Sequence, residues 1–117
     1  HHKWPPEFDI LELLGDSSNV ARFNYWYGDG IQSPSSYTGP DFSADWHIFG
    51  LYWGADAVRY YVDGEEQGKA FTDTASITHV PEYFVANLGV GGNWPGAPNA
   101  STVFPNYYEI DYVRIWQ

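Results

Sequence analysis

Three carboxylates, Glu7, Asp9 and Glu12, interrupt the apolar run Phe8-Ile10-Leu11-Leu13-Leu14 near the start of the chain. Each is costly to bury as an unpaired ion, so their presence among apolar residues calls for a reason. On an extended strand side chains alternate between faces, which puts Glu7 and Asp9 on the same side. Strict alternation turns Glu12 to the other side. A β-bulge at the consecutive apolar pair Ile10-Leu11 brings it back, because one extra residue shifts the phase. The spacing therefore predicts a bulged strand that presents Glu, Asp and Glu in a row. Like charges in such a row push at least one pKa upward.

That row suits double-displacement glycoside hydrolysis. One carboxylate attacks as an anion and another carries the proton for the leaving oxygen, the two standing about 5 Å apart in retaining enzymes. On a flat strand the outer pair would have Cα atoms about 13 Å apart, so the two long Glu side chains must converge on a curved sheet. The competing reading is an edge strand whose solvated acids discourage pairing with other chains.

The pattern Glu-x-Asp-x-x-Glu resembles the catalytic signature of glycoside hydrolase family 16 in its bulged, laminarinase-like form. Further segments resemble that family in order: Trp4-Pro5-Pro6-Glu7, Asp45-Trp46-His47-Ile48-Phe49-Gly50-Leu51-Tyr52-Trp53, Val58-Arg59-Tyr60-Tyr61-Val62-Asp63-Gly64, Asn87-Leu88-Gly89-Val90-Gly91-Gly92-Asn93-Trp94-Pro95-Gly96, and Asp111-Tyr112-Val113-Arg114-Ile115. The family's catalytic domain is longer and carries its acids near the middle, so this sequence resembles its C-terminal half.

The resemblance implies a retaining endo-β-glucanase acting on β-1,3- or β-1,3-1,4-glucans. Glu7 would be the nucleophile, Glu12 the acid/base, and Asp9 the group that holds the nucleophile and helps keep the Glu12 proton in place. Trp4, Trp26, His47 and Trp94 are candidate sugar contacts, each with a structural alternative. Trp4 precedes the acids, Trp26 stands where the family often has His, and Trp94 sits in a Gly-Asn-Trp-Pro-Gly loop. His47 matches a His near the family's acid/base, against the alternative of a hydrogen-bonded core histidine. Asp111 matches a position where the family often binds a structural calcium with oxygen ligands from its N-terminal part, so any site here is expected to be incomplete. No cofactor is required. The rival readings are a carbohydrate-binding β-sandwich and an inactive fragment of such an enzyme, because one fold hosts several functions.

The elements that must position these residues read as all-β. At 117 residues the chain fits one domain, taken as 1–117. Aromatic residues make up 20%, a load that either packs a sandwich core or lines a sugar cleft. Strands are expected over 7–14, 20–27, 45–53, 58–62, 65–71, 83–90 and 107–116, with turn signals between them and no helix-period stretch. The mostly apolar 83–90 segment reads as buried on both faces. Residues 28–41 read as a loop, and 72–81 as a loop with a short turn. The expected architecture is an antiparallel β-sandwich of the concanavalin-like jelly-roll kind, truncated relative to the family.

A formal net charge of −10, from 15 acidic against 5 basic residues, argues against nucleic acid and anionic membranes as partners. No apolar run is long enough to span a bilayer. Cysteine is absent, so the fold owes nothing to disulfides. The sequence contains no signal peptide, and the resemblance alone implies secretion. A half-length sandwich would leave strand edges and apolar faces open, which predicts a homodimer covering them.

Overall fold

The computed structural model describes residues 4–117, in two compact units, the first running to Glu82 and the second Tyr83–Gln117. Among the described residues the first unit holds seven strands: β1 (Glu7–Glu12), β2 (Val20–Gly28), β3 (Ile31–Gln32), β4 (Ser35–Thr38), β5 (Phe49–Trp53), β6 (Val58–Val62) and β7 (Glu65–Phe71). A 3-10 turn, Thr74–Ser76, follows, with Asp73 accepting at its N-terminus. All pairings are antiparallel. One sheet runs β1-β2-β3, with β4 also on β2, and the other runs β5-β6-β7.

The two sheets of this unit close on a shared apolar layer. Ala21, Phe23 and Tyr25 alternate inward along β2, and Val58, Tyr60 and Val62 do the same along β6. Phe23 stacks on Tyr60 with ring centroids 4.9 Å apart, and Tyr25 meets Phe71 edge-on at 5.1 Å. Burying side chains of this size contributes about 1.5–3 kcal/mol each. The Tyr25 hydroxyl donates to Ser76 O at 2.9 Å and accepts from Thr78 N at 2.7 Å, so a buried phenol is satisfied by the chain after β7.

Two local features shape the second sheet and its approach to the first. Val62 pairs with Glu65 across an Asp63-Gly64 turn in which both central residues have positive φ, 52° and 88°. That is the twist a two-residue hairpin needs. Gly68, with φ of 72°, lies against Ser35 of the opposite sheet, and the Lys69 N–H donates to Ser35 Oγ. A Cβ at position 68 would overlap Ser35 Oγ and press on Phe23.

Several expected elements differ. Residues 28–41 contain β3 and β4, which run back along β2 after an Asp29-Gly30 turn, with Gly30 at φ 70°. The strand expected from 45 begins at Phe49, because Asp45 accepts from the Trp46 N–H and Asp63 from the Ile48 N–H, taking that backbone out of the ladder.

The second unit, taken by itself, carries no assigned strand among its residues, so 83–90 and 107–116 do not form the expected strands. A ladder needs a hydrogen-bonding neighbour as well as strand propensity, and neither segment pairs with one. The 83–90 segment is exposed instead of buried, Tyr83 at 72% and Val85 at 64%. Local order there comes from turns, such as Gly96 N–H to Gly92 O at 3.0 Å, and from Arg114 lying 4.4 Å over the Tyr112 ring.

Candidate active site

The acid row is built by the β1–β2 ladder. Glu7 pairs with Trp26, Phe8 with Tyr25, Asp9 with Asn24, and Glu12 with Arg22, with the register slipping between Asp9 and Glu12. The slip is one extra residue on β1, at Ile10-Leu11 as the sequence predicts. It brings Glu12 onto the face of Glu7 and Asp9. On the opposite face Phe8 stacks on Tyr25, with centroids 4.5 Å apart and planes 4° from parallel, and it also meets Trp53 at 5.0 Å. Phe8 and Leu11 thereby pin the strand to the core, while the acids alternate outward.

Around Glu7 two indoles converge. The Trp4 Nε1–H donates to Glu7 Oε2, and the Trp4 and Trp26 rings lie 5.3 Å apart at 51°. Trp26 stands across the ladder from Glu7, and its indole lowers the Asp9 carboxyl slightly. Five of the residues singled out from the sequence, Trp4, Glu7, Asp9, Glu12 and Trp26, are therefore neighbours on one surface.

The electrostatics separate the three acids. Burial is the largest influence on Asp9. With the hydrogen bond to Glu7 and the charges of Glu12 and Glu7, it pushes the Asp9 carboxyl up to about 7, against a smaller downward pull from Trp26. Burial, then the Glu7 charge, also raises Glu12, and the Arg22 guanidinium opposes them. Arg22 is held for this by donating to Val20 O at 3.1 Å and to Ser17 Oγ at 3.0 Å. Such a surface holds a proton near neutral pH beside a second carboxylate, the requirement for paired acid and base work.

His47 is placed elsewhere in the first unit. Its Nδ1 lies 2.8 Å from Asp63 Oδ2, and Asp63 Oδ1 accepts from the Ile48 N–H at 2.9 Å. The Phe42 ring meets it edge-on at 5.1 Å. This is the placement of the hydrogen-bonded histidine weighed as its alternative. Trp94 and Asp111 belong to the second unit, where both are exposed. Among the described residues no group of three or more His, Cys, Asp or Glu is placed to hold a metal ion. Among them also, no helix is long and apolar enough to cross a membrane.

Sequence reasoning overlooked Asn24, Arg22 and Gln32. They share the face of the acids through β2 and β3, and Asn24 Nδ2–H donates to Gln32 Oε1. The alternation Arg22-x-Asn24-x-Trp26 against inward Ala21, Phe23, Tyr25 was the available signal.

Comparison with protein families places this surface in context. The model for glycosyl hydrolases family 16 matches residues 1–114. The chain belongs to glycosyl hydrolase family 16. Among relatives of this family member, the clotting factor G alpha subunit of Tachypleus tridentatus is 28% identical over 98% of this chain and 18% of that protein. The glucan endo-1,3-beta-glucosidase A1 of Niallia circulans is 30% identical over 95% of this chain and 19% of that protein. A beta-glucanase of Acetivibrio thermocellus is 34% identical over 94% and 32%. The chain thus spans no more than about a third of the length of these relatives. A comparison with solved structures gives no significant match.

Proposed function

We propose that this family 16 chain hydrolyses β-1,3- or β-1,3-1,4-glucans by double displacement, with retention at the anomeric carbon. The observation that carries the reading is the bulged β1 strand, which sets Glu7, Asp9 and Glu12 on one face. Glu7 attacks the anomeric carbon and the C–O bond to the leaving sugar breaks, while Glu12 gives its proton to the departing oxygen. Glu12 then takes a proton from water, and that water displaces Glu7 from the glycosyl ester. Asp9, its carboxyl pushed up to about 7, stands beside Glu7 as a protonated partner and lowers the repulsion that a third anion would add. Trp4 and Trp26 are read as the platform on which a pyranose ring rests beside the nucleophile. His47 is read as a clasp on Asp63, and Trp94 as a further sugar contact.

The names of the Niallia and Acetivibrio relatives support a β-glucan substrate. The second reading is a carbohydrate-binding sandwich that holds glucan without cleaving it, since one fold hosts several functions. Both units are read as one domain, working outside the cell. Self-association is part of the same reading, supported by exposed Tyr83, Phe84, Val85 and Leu88, and light scattering that finds only monomer at high concentration contradicts it. The functional reading is tested by reducing-sugar release from laminarin and from mixed-linkage β-glucan. Release that disappears in Glu7→Gln and Glu12→Gln, both still folded, supports the enzyme. Glucan retention without release supports the binder.

A further inference from the structure

Asn24 is more than nine-tenths buried, and its side-chain amide is only half used. The Nδ2–H donates to Gln32, while Oδ1 is buried with no hydrogen-bond partner. A buried unpaired carbonyl is destabilising, which is a reason to ask what it awaits. Its main chain is fixed, since the Tyr60 hydroxyl donates to Asn24 O at 2.6 Å from the other sheet. Across the ladder from Asn24 stands Asp9, and side chains directly opposite on an antiparallel pair have Cβ atoms about 4.5–5.5 Å apart, within reach of each other.

We propose that Asn24 is a positioning residue for Asp9, its Oδ1 accepting the O–H of the neutral Asp9 carboxyl. The purpose of the pair rests on the glucanase reading. In the resting site the Asp9 proton has two acceptors beside it, Asn24 Oδ1 and the Glu7 carboxylate. When Glu7 becomes a glycosyl ester it loses its charge and most of its strength as an acceptor. Without Asn24 a half-buried carboxylic acid would then be left with its proton unpartnered. Asn24 Oδ1 takes that hydrogen bond, so Asp9 keeps its proton through both displacements. The proton does not need to pass to Glu7, where it would quench the nucleophile. The charged and titratable groups around Asp9 are Glu7 and Glu12 on its own strand, Arg22 further along β2, and the Tyr60 hydroxyl from the second sheet. Among the ladder partners of the row, Asn24 is the neutral amide with acceptor capacity to spare.

The test is a carboxyl-carbon NMR titration of Asp9 in the native chain and in Asn24→Leu, which keeps the branched shape and removes the acceptor. The midpoint is expected to fall by about one unit, the worth of one hydrogen bond to the neutral form. An equal or higher midpoint in Asn24→Leu overturns the proposal. A second measurement needs no substitution and covers a variant that does not fold. In the native chain the Asn24 side-chain carbonyl carbon should move downfield as Asp9 gains its proton. A flat trace, or an upfield one, overturns it. Both readouts follow a proton and not turnover. If the chain cleaves no glucan while Asp9 titrates as expected, the glucanase reading falls and the pair stands. If glucan is cleaved and the midpoint is unmoved, the pair alone falls.

Discussion

Asp9 and Glu12 are three positions apart on β1, yet their ladder partners, Asn24 and Arg22, are two positions apart on β2. That single surplus residue decides which way Glu12 faces, and with it whether the chain has two carboxyls on the surface or three. It also divides their environments. Asp9 is set against a buried amide, and Glu12 against a guanidinium that holds down part of its rise.

Asp9→Asn should flatten the pH dependence of stability as well as impair glucan cleavage severely. The folded-state pKa of Asp9 is raised to about 7 from an ordinary 3.8. Between those values the folded state binds more proton than the unfolded state, so stability falls as pH rises through that window. Full stability is present below the unfolded value, and the loss is complete above about 7. At a partly exposed site the total is on the order of 1–2 kcal/mol after solvent screening. Urea melts from pH 4 to 8 check this. A native chain that gains stability across that range through Asp9 contradicts it.

Much of this was legible in the sequence, for physical reasons that can be named. Ile10-Leu11 side by side pointed to the bulge because a strand that keeps its acids on one face needs a slip of phase to seat two apolar residues in succession. Asp63-Gly64 announced its hairpin because few pairs accept positive φ at both positions. Asp29-Gly30 carried a similar signal, but the Ser and Pro around it obscured the short strands β3 and β4. Tyr83 to Val90 misled in the other direction. Its composition records a preference for a strand, whereas a strand exists only where a neighbour supplies the hydrogen bonds. Asn24 was hidden because its significance lies in an unpaired atom and a cross-strand partner, which composition does not display.

Gly68→Ala should destabilise the first unit by about 2 kcal/mol or more. The residue has positive φ, and an added Cβ meets Ser35 Oγ and Phe23 across the sandwich. Denaturant unfolding measures the loss. A change within about 0.5 kcal/mol of zero would show that the sheets are not held at the spacing Gly68 permits.

Calcium should change thermal stability little. Asp111 is exposed and, among the described residues, no acidic cluster is placed to give a cation six to eight oxygens. Melts with calcium and then a chelator should agree within about 4 °C, which corresponds to roughly 1 kcal/mol for a domain of this size. A larger shift would mean that a bound ion contributes to the fold.

Incubation with a 2-fluoro-glucosyl mechanism-based inactivator, followed by peptide mass spectrometry, tests the double-displacement account most directly. The fluorine slows the second displacement, so the glycosyl ester accumulates on whichever residue attacked. The account predicts one glycosyl adduct, on Glu7, retained in Glu12→Gln when the inactivator carries a good leaving group and absent in Glu7→Gln. A chain that cleaves β-glucan but carries its adduct on another residue, or is labelled equally in Glu7→Gln, would contradict it.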